Sequence, residues 1–400
     1  MKYVQKILKL VKNILLSPLY FFSFVFPRNK KIWLFGSQYN SFLDNSKYFF
    51  WYVADNYSKQ IKAVWISGDS KMVKKIRKNG YNCYYKWSLK GLWYCLRGSV
   101  YIYSFRSSDI NFWTSGGALR INLWHGIPLK TIEFDIKIGK AKKIFNSHSK
   151  YFYMMFYPDI YQKHHYILST SSEISKIFAS AFRISIEKCL EFGYPRCEHL
   201  LWDKDKILQF AELKDREIFN FIKGVLLNYD KCVIYMPTFR EQGENDIAKL
   251  LDLNYLNTLF KSKNWLLLIK PHPSIRSKMS QNFSNIIFLQ PKTDVYMILP
   301  FTHLLITDYS SIMFDYLLTG NPIILYQYDL DSYLNSEREF YEMTAKLNVG
   351  IRVFSKEELY KQILNILSKS NCEKFFKEEV VAKLWGRLPL KANEKLYGFI

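Results

Sequence analysis

Two histidines occupy segments whose residue types could carry chemistry. The first, His125, lies in RINLWHGIPLK (120–130) directly after an apolar run, and Gly126 and Pro128 follow it. Pro128 suits the first turn of a helix, whose free N–H groups bind anions. Because imidazole titrates near neutral pH, His125 could take a proton from an attacking hydroxyl. The alternative is a histidine that only caps a strand end through a satisfied hydrogen bond, and this motif alone leaves both open.

The second histidine, His272, lies in a similar arrangement, LLLIKPHP (266–273). Pro271 and Pro273 fix the backbone on both sides of the ring, and Lys270 offers a point charge for a phosphate group. A KPHP segment by itself is also explained as a rigid turn. The presence of two histidines at equivalent strand ends favours the functional interpretation.

The segment HLLITDYSSIMFDYLLTGNPIILY (303–326) has the strongest pattern for binding an anion. Asp308, Ser310 and Ser311 fall where a buried strand gives way to a helix, so hydroxyls and helix N-terminal amides could together surround an anion. Capping of the helix N-terminus explains one serine. It leaves the second hydroxyl unused.

Two shorter motifs place arginines at turns. MPTFR (236–240) puts Thr238 and Arg240 after a strand, and GYPR (193–196) puts Arg196 in a turn. Arginine can bind phosphate oxygens through two parallel N–H groups. Taken singly, each arginine is explained at least as well by a surface ion pair.

The elements that must position these residues alternate between short apolar runs and helical stretches, which is typical of β-α-β units around a parallel sheet. The ten predicted strands are 31–36, 63–67, 100–104, 120–125, 166–170, 232–237, 265–272, 286–290, 303–308 and 322–327. A charged, helix-like stretch separates two groups of five. We therefore predict an α/β fold with two doubly wound, Rossmann-like domains, which bind ligands beyond the carboxyl ends of their strands.

The chain has 400 residues, more than one hydrophobic core normally supports, which also favours two domains. The predicted organisation has four parts. They are an amphipathic membrane-associating segment (1–28), an N-terminal Rossmann-like domain (29–200), a helical connection (201–229) and a C-terminal Rossmann-like domain (230–400).

The N-terminal segment has the pattern of a basic amphipathic helix, with lysines on one side and apolar residues on the other. The apolar run that follows, 14–26, has only 13 residues and contains Pro18, whereas a spanning helix needs about 20. No small-residue cleavage site follows it. We expect this segment to lie in the interface of an anionic membrane, the alternative being an ordinary helix packed on the first domain.

Charge and cysteine content exclude some classes of protein. With 57 Lys and Arg against 35 Asp and Glu, the formal charge of +22 attracts polyanions. The basic residues are spread along the chain and form no recognised nucleic-acid module, so we expect no nucleic-acid partner. The six cysteines show neither a disulfide framework nor metal-ligand spacing, which predicts reduced thiols in the cytosol and no metal site.

Taken together and in order, WHGIPLK, GYPR, MPTFR, KPHP and DYSSIMFDY resemble the CDP-glycerol glycerophosphotransferase family of teichoic acid and capsule synthesis. The early KIWLFGSQYNSFLDNSKYFF resembles that family's first strand and loop, so the resemblance runs from about residue 31 to about residue 345. The family is similar in fold to GT-B glycosyltransferases, with two domains facing a cleft. It is usually attached peripherally to the cytoplasmic face of the bacterial cell membrane.

The resemblance implies a role for each matching residue. His125 would be the general base on the acceptor hydroxyl, and His272 a partner for the pyrophosphate or the leaving CMP. The N-terminal domain would serve the acceptor and the C-terminal domain the CDP-activated donor. The donor-binding residues would be Gly126, Arg196, Thr238, Arg240, Lys270, Asp308, Ser310 and Ser311.

The implied reaction is in-line attack of the acceptor hydroxyl on the donor's β-phosphorus, with catalysis by positioning and charge stabilisation and without a cofactor. The implied partners are a CDP-activated polyol donor, a polyol-phosphate or saccharide acceptor that includes lipid-linked forms, and an anionic membrane surface. The family's turn usually reads GYPRND, whereas this chain has GYPRCE, so contacts near Cys197 are expected to differ. Glycerol and ribitol, and single transfer and polymerisation, stay open.

Two other functions are compatible with the same patterns. A GT-B glycosyltransferase that uses a nucleotide sugar in capsule or surface polysaccharide synthesis would share the cleft and the strand-end anion sites. A non-catalytic basic protein that binds membrane or nucleic acid would share the charge. Loss of activity on replacement of His125 and His272 separates an enzyme from the second alternative.

Overall fold

The computed structural model describes residues 2–139, 141–145, 150–238, 240, 247–272, 282–336, 339–369 and 378–400. The chain forms two compact units. The first contains Met1–His125, Ile132–Arg196 and Trp385–Ile400, and the second contains Gly126–Thr131 and Cys197–Leu384. Each unit has a parallel sheet flanked by helices, which confirms the predicted α/β class.

The sheet of the first unit has, over the described residues, the strand order β3-β2-β1-β4-β5-β6-β7. Its strands are β1 (Asn29–Gly36), β2 (Lys62–Ser67), β3 (Cys83–Tyr85), β4 (Gly98–Tyr103), β5 (Leu119–Asn122), β6 (Tyr166–Ser169) and β7 (Cys189–Glu191). The helices before Arg196 are α1 (Lys2–Val25), α2 (Asp44–Asn56), α3 (Ser70–Lys78), α4 (Leu89–Arg97), α5 (Lys142–Phe145), α6 (Lys150–Phe156) and α7 (Ser172–Phe182). The order reverses between β1 and β4, where doubly wound sheets bind ligands.

The second unit repeats this topology as β10-β9-β8-β11-β12-β13 over its described residues. Its strands are β8 (Lys231–Tyr235), β9 (Trp265–Ile269), β10 (Ile286–Phe288), β11 (Leu304–Thr307), β12 (Ile323–Tyr326) and β13 (Ile351–Val353). Its helices are α8 (Lys204–Lys214), α9 (Arg216–Gly224), α10 (Ile247–Leu250), α11 (Leu253–Ser262), α12 (Ile312–Tyr316), α13 (Leu330–Ser336), α14 (Glu342–Ala345), α15 (Lys356–Leu367) and α16 (Glu378–Trp385). Here the order reverses between β8 and β11.

All ten predicted strands are present, and most of them are apolar runs of largely buried residues. The prediction missed β3, β7 and β13, each of three residues and each at a sheet edge. Every one of them has a partly or fully exposed residue, so the continuous apolar run that marks a central strand is missing. Short edge strands of this kind carry little signal in the sequence.

The unit boundaries differ from the predicted domain boundaries at three points, the first being Gly126–Thr131, which belongs to the second unit. The chain passes into the second unit after Arg196, so α8 and α9 belong to that unit. The segment from Trp385 returns to the first unit, where α17 (Ala392–Phe399) packs on it. The ring of Tyr397 stacks on Tyr57 with centroids 3.5 Å apart. This aromatic packing explains why the last segment joins the first unit.

The N-terminal segment is one helix rather than a basic part followed by a short apolar part. Pro18 lies inside α1, where it has no N–H for the carbonyl of Ile14. The Ser17 hydroxyl donates to that carbonyl at 2.8 Å and so replaces the missing bond. The expectation of an apolar run too short to span is therefore corrected: by length and composition Val4–Val25 could cross a bilayer, as many signal sequences could.

Helix α1 packs on the first unit through a polar and aromatic side. The Nζ atom of Lys9 lies 3.5 Å from the ring centre of Tyr157, and the side-chain amide of Asn13 donates to the carbonyl oxygen of Met155 at 2.7 Å. Further along, Tyr20 stacks on Phe112 with centroids 4.7 Å apart. The opposite side exposes large apolar residues: Val4, Ile7, Leu8, Val11, Ile14, Leu15, Phe21, Phe22 and Val25. The helix thus turns its apolar side outward, the reverse of a helix that covers a core.

Candidate active site

The backbone at the end of β5 holds His125 in a constrained position. Trp124, the residue before it, has φ 50°, a left-handed conformation that is costly for a bulky residue. The Trp124 ring is buried against the His125 ring, with centroids 4.1 Å apart. The Nδ1 atom of His125 lies 3.2 Å from the carbonyl oxygen of Ser104, which follows β4.

This contact determines which ring nitrogen of His125 is available for chemistry. Because a carbonyl oxygen only accepts hydrogen bonds, Nδ1 carries the proton and Nε2 keeps its lone pair. Burial lowers the pKa of His125, while Asp44 acts in the opposite direction. The imidazole is therefore neutral near pH 7, which is the state that a general base needs.

Arg196 belongs to the first unit and is largely buried there. Its Nη2 donates to the carbonyl oxygen of His125 at 3.0 Å, and its Nη1 forms an ion pair with Asp44. The sequence predicted that Arg196 contacts the donor. The structure shows this guanidinium engaged with the backbone of the candidate base, and the contact with donor stays a prediction.

In the second unit, three of the predicted residues form one network at the ends of β8 and β11. The carboxylate of Asp308 accepts from the backbone N–H of Thr238 at 3.0 Å and from its hydroxyl at 2.6 Å. The same carboxylate forms an ion pair with Arg240 at 2.8 Å. The side chains of Arg240 and Asp308 are 3% and 2% exposed, so this is a buried pair.

Arg240 also contacts Asp329, a residue that the sequence analysis did not single out. The guanidinium Nε donates to Asp329 at 2.7 Å, and Tyr309 donates its hydroxyl to the same carboxylate at 3.1 Å. Asp329 follows β12, so a search of every strand end for carboxylates would have found it. Arg240 thus joins the ends of three neighbouring strands, and its predicted contact with a donor phosphate stays a prediction.

The remaining predicted residues present polar groups at the same edge of this sheet. The hydroxyls of Ser310 and Ser311 are half-buried and make no hydrogen bond within the described residues. Neither serine side chain caps α12, which has only five residues, so the helix dipole contributes less than the sequence pattern implied. Their predicted contact with the donor stays a prediction.

Two cations and His272 lie close to this network. Lys270, after β9, donates to the carbonyl of Pro291 at 3.3 Å, and burial lowers its pKa. Partial desolvation, then Lys270 and Lys130, lower the pKa of His272, while Asp308 raises it. His272 is therefore neutral near pH 7 among positive charges that suit a phosphate. The predicted Pro273 lies outside the described residues.

Gly126, also predicted to bind the donor, begins the short segment that belongs to the second unit. Its φ of 141° lies in a region that only glycine adopts without strain.

Within the described residues, no three or more His, Cys, Asp or Glu side chains are grouped so that they could hold a metal ion. The five described cysteines are buried and free, as expected for reduced thiols.

Comparison with known proteins gives the same family as the motifs. The chain is 28% identical over 318 residues to a teichoic acid glycerol-phosphate transferase of Staphylococcus aureus (strain NCTC 8325 / PS 47), covering 76% of this chain and 75% of that protein. It is 25% identical over 363 residues to a teichoic acid poly(glycerol phosphate) polymerase of Bacillus spizizenii (strain ATCC 23059 / NRRL B-14472 / W23), covering 86% and 87%. Ribitol-phosphate polymerases and a ribitol-phosphate primase match as well.

Among solved structures, the wall teichoic acid polymerase TagF is similar in fold, with a TM-score of 0.74 and 22% identity over 99% of this chain and 96% of that one. The family model described as CDP-Glycerol:Poly(glycerophosphate) glycerophosphotransferase matches residues 18–383. That span includes both strand-end sites and all the strands of both sheets. The chain therefore belongs to the CDP-glycerol:poly(glycerophosphate) glycerophosphotransferase family.

Proposed function

We propose that this protein transfers a polyol phosphate from a CDP-activated donor to a hydroxyl of a surface-polymer precursor and releases CMP. The observation that carries the proposal is His125, a neutral imidazole whose Nδ1 is held by the Ser104 carbonyl while Nε2 keeps its lone pair. Family membership supplies the class of reaction. Glycerol phosphate is the polyol phosphate that we propose, because the two relatives described above carry it in their names.

The reaction balances without a cofactor. The acceptor oxygen attacks the donor's β-phosphorus and forms the new P–O bond, while Nε2 of His125 takes the hydroxyl proton. The bond from the β-phosphorus to the bridging oxygen breaks, and its electron pair leaves with CMP. The charge that develops on the leaving phosphate suits Lys270, His272 and the hydroxyls of Ser310 and Ser311.

We also propose that the protein works at the cytoplasmic face of the cell membrane, held there peripherally through α1. The support is the outward apolar side of this helix together with its lysines, since an anionic bilayer satisfies both. Contacts from Lys9 to Tyr20 hold the other side of α1 against the first unit. A helix held in this way along its length suits a position in the interface better than one across the bilayer.

The deciding experiment measures CMP release from CDP-glycerol and from CDP-ribitol, with a lipid-linked glycerol-phosphate acceptor. We expect CMP from CDP-glycerol, and a fall of at least ~10²-fold in the rate of CMP release in the variant His125→Asn, because the base is removed. The matched control is His303→Asn. The Nδ1 atom of His303 accepts the backbone N–H of Cys232 at 3.0 Å, beside the first residue of β11 and away from the carboxyl ends of the strands.

Two outcomes would overturn the proposal. Full activity of His125→Asn would show that His125 is not the general base. Release of a nucleoside diphosphate from a nucleotide sugar, with no CMP from either CDP-polyol, would assign the protein to sugar transfer instead.

A further inference from the structure

The start of α2 contacts every segment that holds His125. It lies within the early KIWLFGSQYNSFLDNSKYFF segment, but no role was predicted for any of its residues. Asn45 is fully buried and its side-chain amide donates to the carbonyls of Leu123 at 3.1 Å and of Trp124 at 3.0 Å. Its oxygen accepts the backbone N–H of Arg196 at 3.3 Å. One amide group therefore joins the end of β5 to the turn that follows β7.

The residues on each side of Asn45 contact two other groups that hold His125 in place, the side chains of Arg196 and Ser104. Asp44 pairs with Arg196, whose other nitrogen donates to the carbonyl of His125 at 3.0 Å. The hydroxyl of Ser46 lies 2.7 Å from that of Ser104, and Ser104 supplies the carbonyl that holds Nδ1 of His125. Both hydroxyls are fully buried.

We propose that Asp44, Asn45 and Ser46 are positioning residues for the transfer reaction, which fix the backbone, the ring orientation and the tautomer of His125. This proposal rests on the proposed role of His125 as the base. Its physical reason is the left-handed backbone of Trp124, which persists only where its surroundings over-determine it. A base displaced by about 1 Å loses on the order of 10²-fold in rate, so such contacts have large kinetic consequences.

The charges around His125 give this proposal a readout that a purely structural role would not change. Asp44 at the start of α2 raises the pKa of His125, whereas Arg196 beyond β7 and Arg106 beyond β4 lower it. Replacing Asp44 with Asn removes the one negative charge in this set. The acid limb of kcat/KM, where His125 becomes protonated, then moves to lower pH.

The test compares Asp44→Asn and Ser46→Ala with wild type in pH profiles, kcat, donor KM and thermal unfolding. We expect kcat to fall about 10- to 100-fold in both variants with donor KM within about twofold, and the acid limb to shift only in Asp44→Asn. The matched control is Asp69→Asn, because Asp69 precedes α3 in the same unit, where its carboxylate accepts the Lys71 N–H at 2.8 Å, away from His125. We expect wild-type kinetics from this control.

The outcomes separate this proposal from the proposed function. Wild-type kcat and an unmoved acid limb in Asp44→Asn would overturn the positioning role. The proposed function would still stand if His125→Asn abolished transfer. Equal losses in Asp69→Asn and Asp44→Asn would also overturn it, since they would reflect general stability. An active His125→Asn would overturn the proposed function itself.

Discussion

Among the described residues, the side chains at the strand ends fall into two sets, those bonded to other protein groups and those without a hydrogen-bond partner there. Arg196, Arg240 and Asp308 are buried and bonded to protein groups. Ser310 and Ser311 have no hydrogen-bond partner within the described residues. We infer that the first set shapes the site and that the second set contacts the ligand.

This division predicts the effect of removing both hydroxyls. The double variant Ser310→Ala/Ser311→Ala is expected to raise the donor KM about 10-fold or more, since a hydrogen bond to a charged group contributes roughly 1.5–3 kcal/mol. The control is Ser262→Ala, whose exposed hydroxyl only donates to Leu259 at the end of α11. Steady-state kinetics with varied donor measures the effect. An unchanged donor KM in the double variant would remove these serines from the donor site.

A second residue-scale prediction concerns His164, which is buried between Tyr103 and Asn122. Burial lowers its pKa to about 3, so the folded state disfavours protonation relative to the unfolded chain. Its contribution to stability is complete above about pH 6.5 and is lost as the pH falls towards 3, by up to ~1.4 kcal/mol per unit. Urea unfolding at pH 7, 6 and 5 should show a smaller loss in His164→Asn than in wild type. Parallel slopes would contradict this.

The sequence predicted the site residues that follow apolar strands, because strand ends can be recognised along the chain. It missed Asn45 and Asp329 for different reasons. Asp329 follows β12 but resembles an ordinary turn residue until Arg240 is seen against it. Asn45 acts through backbone groups more than 70 residues away, and no local pattern records such contacts. Long-range hydrogen bonds to the backbone were beyond what the sequence could show.

At the scale of elements, α1 is unusual because its apolar side is exposed. Replacing Leu15 and Phe22 by Glu should reduce binding to anionic vesicles at least about 10-fold, since each apolar side chain that enters the bilayer contributes roughly 1.5–3 kcal/mol. The matched control is Leu213→Glu/Leu227→Glu, because both leucines are exposed in the second unit. Vesicle co-sedimentation measures the binding. Equal binding of both double variants would contradict a membrane role for this side of α1.

The elements themselves were largely predictable, since every central strand was found and the helical stretches lay between them. The continuity of α1 through Pro18 was not. Proline normally interrupts a helix, and here a neighbouring serine hydroxyl compensates the unpaired carbonyl. A local side-chain contact thus decided the length of the element.

At the scale of the whole molecule, the net charge of +22 suggests that the protein's own cations, rather than a divalent ion, neutralise the pyrophosphate of the donor. We predict that transfer continues in EDTA, because Lys130, Lys270 and the serine hydroxyls supply positive charge and hydrogen bonds at the strand ends. CMP release with and without the chelator measures this. Loss of activity in EDTA that magnesium restores would show that a divalent ion performs this role.

The return of Trp385–Ile400 to the first unit has a consequence for protein synthesis. The ribosome must translate all of Cys197–Leu384 before the segment that covers Tyr57 and Trp33 exists. At typical bacterial elongation rates this takes roughly ten to forty seconds. During that interval the nascent first unit carries uncovered aromatic surface, so it depends on the translation of the second unit to reach its final fold.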